Sequence, residues 1–128
     1  MIPKFRAWLK QYNVMVDDVS DLTFFEGNLK FIGRRTVGGV SFQYSVEEIE
    51  LMQSTGVLDK DGQEIFEGDI VKMAKDVYSD LTYYEIIRHR GGAYRLESNQ
   101  HGCELWLRHT NCEVIGNIYE NTGLLEVE

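Results

Sequence analysis

Proline occurs once in the 128 residues, as Pro3, and cysteine twice, as Cys103 and Cys112. No repeat, low-complexity segment or flexible linker accompanies them, so a domain boundary has nothing to rest on and a single domain over 1–128 is expected. Two cysteines in a reducing compartment stay free thiols, mostly buried, rather than a lasting disulfide. Long apolar runs are absent too. None approaches the roughly 20 residues that span a bilayer, and the start MIPKFRAWLKQ lacks the apolar core and cleavage site of a secretory signal. The expected location is therefore the cytoplasm, away from membranes. Positive charge is scarce: 13 Lys and Arg stand against 21 Asp and Glu, a formal charge of −8. The average field repels nucleic acid. The densest basic stretches, Arg34-Arg35 and Arg88-His89-Arg90, are too short to reverse it, so nucleic acid is not an expected partner.

What the chain does have is apolar residues at every second position, interrupted by short clusters of Gly, Asn and Asp, which is the signal of strands and tight turns. Phe5 to Leu9 and Val14 to Val16 flank KQYN, and Thr23 to Phe25 and Leu29 to Ile32 flank Glu26-Gly27-Asn28, giving two successive hairpins. Arg34 to Gly39 ends in the pair Gly38-Gly39 and is expected to be a loop. Val40 to Tyr44 alternates again. SVEEIELMQ at 45–53 fits both a capped helical turn, from Ser45 and Glu48, and a strand; a turn running into a strand is the preferred reading. Ile70 to Met73 and Thr82 to His89 are strands. Gly91-Gly92 turns the chain into Ala93 to Glu97, and Ser98 to Gly102 is a polar loop. Cys103 to His109 and Glu113 to Tyr119 are two further strands, and NTGLLEVE is a helical turn or a tail. The expected fold is mainly β, antiparallel hairpins forming a small, partly open barrel, SH3-like in part, with at most one or two short helical turns. If it is subdivided, an N-terminal hairpin part at 1–44 precedes a barrel part at 45–128.

Two groups of residues carry metal-binding types. VLDKDGQEIFEGDIV at 57–71 places Asp59, Asp61 and Gly62 at positions 3, 5 and 6 of a calcium loop of the EF-hand kind. The same register puts Val57 at position 1 and Gly68 at position 12, where oxygen ligands are required. A hairpin turn at Asp61-Gly62 fits better, with Leu58 and Ile65 supplied to the core. His101, Cys103, His109 and Cys112 have residue types that suit zinc or a thiol enzyme. On a strand from Cys103 to His109, however, six residues at about 3.3 Å each separate the two ends by roughly 20 Å. Cys103, Leu105 and Leu107 on a core face, with Trp106 outside, is the preferred arrangement. Gly38-Gly39 and Gly91-Gly92 lack the helix start and lysine of a phosphate loop, and Asp17-Asp18 and Glu47-Glu48 read as solvated surface. No catalytic residue, metal or cofactor is assigned.

Three stretches carry a family likeness: KFRAW at 4–8, MQSTGVLDKDGQEIFEGDIV at 52–71 and VIGNIYEN at 114–121. On these the chain resembles the YopX family, small proteins encoded by phages and prophages, and the middle stretch is the most specific. It departs from the family pattern at Leu9, where an acid is common, at Val57, where Leu is usual, and at Thr122, where proline is frequent. The resemblance implies a β-rich fold with barrel-like portions and assembly into oligomers in a bacterial host cell; it implies no reaction. On such a fold Tyr78, Tyr83, Tyr84, Trp106 and Tyr119 are the candidates for an interface. The expected role is that of a noncatalytic phage accessory protein that self-assembles and binds a host or phage protein. Two alternatives stay open: an acidic inhibitor of a nucleic-acid-binding protein, and a zinc or thiol enzyme using His101, Cys103, His109 and Cys112.

Overall fold

Twelve strands account for most of the computed structural model, which describes residues 4–35, 38–74, 76, 78–99, 101–121 and 123–126. With 58% strand and 10% helix, and every paired strand antiparallel, the chain is mainly β as expected, and one of its sheets curls into a half-barrel. Contacts divide the chain into two units, Ile2–Gln53 and Ser54–Glu128. No helix among the described residues is long and apolar enough to cross a membrane.

In the first unit, β1 (Phe5–Leu9) and β2 (Val14–Val16) form the expected hairpin, closed by Asn13 N–H to Leu9 O at 2.9 Å. β3 (Val19–Phe25) and β4 (Asn28–Arg35) form the second. Its tip has positive φ at both Glu26 (53°) and Gly27 (82°), the primed turn whose twist matches that of the flanking strands. β5 (Ser41–Ser45) adds to β4. The loop expected from Arg34 is shorter, because β4 continues through Arg35; Thr36 and Val37 lie outside the described residues, as does Thr122. Ser45 then caps a 3-10 turn at Val46–Glu48, accepting from Glu47 N–H, and the chain enters β6 (Ile49–Leu58). The turn-then-strand reading of 45–53 holds, because the Ser45 hydroxyl satisfies a donor that the turn leaves open. β6 pairs with β1 from Ile49 to Gln53, and Ala7, Leu9, Val16, Ile32 and Ile49 make this unit's core.

In the second unit, the end of β6 pairs with β7 (Glu64–Phe66). β8 (Asp69–Ala74), β9 (Leu81–Arg88), β10 (Tyr94–Glu97), β11 (Gly102–Glu104) and β12 (Glu113–Asn117) build a five-stranded sheet in the order β11-β10-β9-β8-β12. Ile65, Val71, Met73, Tyr84, Ile86, Leu96, Leu105 and Cys112 fill its core. The turn at Gly91-Gly92 is one residue longer than a two-residue hairpin: His89 N–H reaches Ala93 O at 2.7 Å across Arg90 to Gly92.

Three expectations are corrected here. Cys103 to His109 is not one strand: β11 stops at Glu104, a short helix α1 runs Leu105–Arg108, and a 3-10 turn follows at His109–Asn111. Leu and Arg form helix readily, and LWLR fits a strand and a single helical turn alike, so the packing of Leu105 on the core decides between them. Leu105 is consequently buried while Leu107, expected in the core, is exposed. β12 ends at Asn117 rather than Tyr119, where the Asn117 side chain folds the chain into a turn. Leu58, offered to the core with Ile65, is half exposed, whereas Ile65 is fully buried.

Candidate interaction surface

Residues 57–71 form a clip between hairpin and sheet. Asp59 N–H bonds to Gln63 O at 2.8 Å and Gly62, at φ +84°, donates to Asp59 O at 3.1 Å, which closes the turn. The Asp59 carboxylate is 5% exposed, and both of its oxygens are used: Oδ1 accepts from Asp61 N–H (2.9 Å) and Gln63 N–H (2.8 Å), and Oδ2 from Val114 N–H (2.8 Å). Lys60 N–H to Cys112 O at 2.9 Å completes the attachment to the start of β12. Burial pushes this carboxyl up, but the bonds from Val114, Gln63 and Asp61, helped by the Lys60 charge, overcome it and hold the pKa below its usual value. Asp69 has a related task at the Glu67-Gly68 corner, accepting Phe66 N–H at 2.8 Å, while Gly68 donates to Ile86 O and accepts from Ile118 N–H. Asp59 and Asp69 of this motif organise backbone.

The four zinc or thiol candidates are dispersed over separate tasks. His101 sets its ring edge against Tyr84 at 6.2 Å between centroids, and its backbone closes a loop with Ser98. Cys103 is opposite Leu96 and packs on the core. His109 Nδ1 is 2.7 Å from Leu58 O. Cys112 is buried, and its thiol donates to His109 O at 3.3 Å. The strand separation argued for Cys103 and His109 lapses with the strand itself. Even so, among the described residues no three His, Cys, Asp or Glu side chains are placed to share an ion. Burial pushes the Cys112 thiol up to about 12 and that of Cys103 upward as well, so both are held as neutral thiols near pH 7 rather than as nucleophilic thiolates.

The five aromatic candidates separate by burial. Tyr84 is corrected: its side chain is fully buried in the core of the second unit, because Tyr84 and Ile86 occupy the inward positions of β9, and its phenol is pushed up by that burial. Tyr83 and Tyr119 are half-buried, Tyr78 is almost wholly exposed, and Trp106 is 68% exposed on α1. Sequence reasoning passed over further exposed apolar side chains in the first unit. Phe24 (59% exposed) and Phe25 (64%) stand at the tip of the β3–β4 hairpin, and Phe31, Val40 and Phe42 are exposed on or beside the same sheet. The signal was available: two successive Phe residues just before a two-residue turn cannot both face inward on an alternating strand.

The second unit also holds a cleft of about 580 Å³, lined by Asp80, Tyr83, Glu85, Glu97 and His101 among others and by no Lys or Arg among the described residues. Glu85 and Glu97 are opposite each other across β9 and β10. Arg95 bonds Glu97 at 2.8 Å and Glu104 at 2.6 Å, whereas burial alone pushes the Glu85 carboxyl up. A group of positive charge would relieve that cost.

The YopX protein family model matches residues 4–126. The chain belongs to the YopX family. Protein EF1440 from Enterococcus faecalis has a crystal structure similar to this YopX-family chain at a TM-score of 0.68, with 30% identity over 98% of this chain and 99% of that one. The X-ray structure of protein YopX from Bacillus subtilis is similar at a TM-score of 0.69, with 21% identity over 94% and 96% of the two chains, a likeness of fold. No protein with a curated description matches. The three motifs that carry the family likeness have structural roles here: KFRAW leads into β1, the 52–71 stretch contains the Asp59 clip, and VIGNIYEN ends β12 in the turn organised by Asn117.

Proposed function

We propose that this YopX-family chain is a noncatalytic phage or prophage accessory protein that acts in the cytoplasm of a bacterial cell, by self-assembly and by binding another protein. The observation that carries this reading is the set of exposed aromatic side chains on the β3–β4–β5 sheet, Phe24, Phe25, Phe31 and Phe42, with Phe31 and Phe42 on its opposite faces. Apolar side chains of this size, grouped on one small sheet, are a cost in water that an interface removes. The thiols held protonated and the acids committed to backbone bonds support a role without chemistry at those residues. Light scattering on the purified chain is expected to give a mass of two or more copies, and Phe24→Ser with Phe25→Ser to weaken assembly or partner capture. A wild-type chain that stays monomeric at high concentration, with no partner lost on that double substitution, overturns the reading.

A second reading, an acidic inhibitor that occupies the basic site of a nucleic-acid-binding protein, is favoured by the Asp80, Glu85 and Glu97 cleft and the net charge of −8. Pull-down of an identified DNA-handling protein should then fall as salt is raised from about 0.1 to 0.5 M, because screening shortens the reach of surface charge. The capture should also be lost with Glu85→Gln and Glu97→Gln. Capture insensitive to both removes this reading.

A further inference from the structure

We propose that two copies of the chain pair edge to edge through β5, antiparallel about a two-fold axis at Gln43, joining two three-stranded sheets into one of six strands. The inference rests on the self-assembly reading above and names the seam.

Among the described residues β5 pairs with β4 alone and is the last strand of its sheet, so its other edge carries no strand there. Natural sheets guard open edges with charge, proline, bulges or shortness. The other edges show these devices. β3 carries Asp21 and two register shifts; β12 is broken by a register shift between Val114 and Gly116; β2, β7 and β11 are only three residues long. β5 has none of them: Ser41–Ser45 is five uncharged residues in unbroken register with Arg35 to Phe31, and Ser41, Phe42 and Gln43 are exposed.

The order of its residues specifies the occupant. Ser41-Phe42-Gln43-Tyr44-Ser45 reads nearly the same in both directions. Run antiparallel to itself about Gln43, it sets Ser41 opposite Ser45 of the second copy, Phe42 opposite Tyr44, and Gln43 opposite Gln43. No like charges meet, and the two-fold axis generates two aromatic cross-strand pairs, a favourable contact in antiparallel sheets. The face is also right. Phe42 is opposite Arg34 and Tyr44 opposite Ile32, so both rings stand on the face that carries the first unit's core, against which Tyr44 already packs. The Phe42 ring, 47% exposed, would be covered by Tyr44 of the second copy.

The test is sedimentation velocity over a concentration series for the wild type, Gln43→Lys, Gln43→Glu and an equal mixture of the two variants. Gln43 is exposed, so neither variant should change the melting curve at concentrations low enough for the chain to be monomeric. Each variant alone opposes two like charges at the dyad and is expected to raise the dissociation constant about fivefold, the upper range for one such pair in a sheet. The mixture opposes Lys to Glu and is expected to return to the wild-type value or tighter. If the wild type assembles and both variants and their mixture assemble equally well, the copies meet on another surface: the β5 seam falls and self-assembly stands. If the wild type is monomeric throughout, both fall.

Discussion

Asp59→Ala is expected to cost about 4 kcal/mol of folding stability, more than any other polar substitution proposed below. Asp59 is nearly inaccessible, and its carboxylate accepts three backbone N–H groups, from Asp61, Gln63 and Val114. Hydrogen bonds to a charged acceptor contribute roughly 1.5–3 kcal/mol each, offset in part by the desolvation of the carboxylate. Alanine returns that desolvation but leaves the Val114 N–H without its acceptor, and the loop loses both of its internal side-chain bonds. Urea or thermal unfolding checks the number; a loss below about 1 kcal/mol would show that water replaces the carboxylate freely. The pH dependence has a definite sign. The folded-state pKa is lowered, so Asp59 contributes fully above its unfolded value of roughly 4 and loses that contribution as pH falls through that value toward the folded one. The acid limb of the stability curve should therefore be shallower in Asp59→Asn than in the wild type. An unchanged limb would mean that the Asp59 carboxyl is not a contributor to acid unfolding.

Asn117→Ala should cost about 2–3 kcal/mol, again through backbone rather than packing. Asn117 Oδ1 accepts Tyr119 N–H at 3.0 Å and Glu120 N–H at 2.8 Å, and Nδ2 donates to Glu120 Oε1 at 2.8 Å. An asparagine at the head of a turn in this way supplies in one side chain what a second strand would otherwise supply. The next residue, Ile118, donates to Gly68 O, so the same turn fastens the end of β12 to the Glu67-Gly68 corner. Asn117→Asp keeps both acceptors, loses the donor and sets a second carboxylate against Glu120, so an intermediate loss is expected. Chemical denaturation of the three proteins tests the order wild type, Asp, Ala; an alanine variant within about 0.5 kcal/mol of the wild type would refute the capping role. Together the two substitutions separate architecture from function. If the family motifs DKDG and GNIYEN serve the fold, both variants lose stability in step with any loss of assembly.

The hairpins were legible because their signals are local. Glu26-Gly27, Asp61-Gly62 and Gly91-Gly92 sit between alternating runs, and each turns the chain where expected. The helix at Leu105–Arg108 was not legible, since LWLR satisfies a strand and a helical turn equally and only the burial of Leu105 against the core selects one. The same holds for the aromatics: alternation says that Tyr83 and Tyr84 face opposite ways but not which of them faces in. The interaction surface was half legible. Trp106 is outside as expected, whereas the strand pattern around Phe24, Phe25 and Phe42 does not by itself say how far they are exposed.

By itself the sequence determined most of the strand-and-turn order, the antiparallel β class and the family, because period-2 alternation, glycine at positive φ and short motifs act over a few residues at a time. Tertiary structure alone decided what the acids, thiols and aromatics do. Asp59 is a structural anchor only because the Val114 N–H, 55 residues later, meets its carboxylate away from water. Cys112 is a neutral thiol only because the core closes over it. Burial and hydrogen-bond partnership are set by neighbours distant in the chain, and no local pattern encodes them.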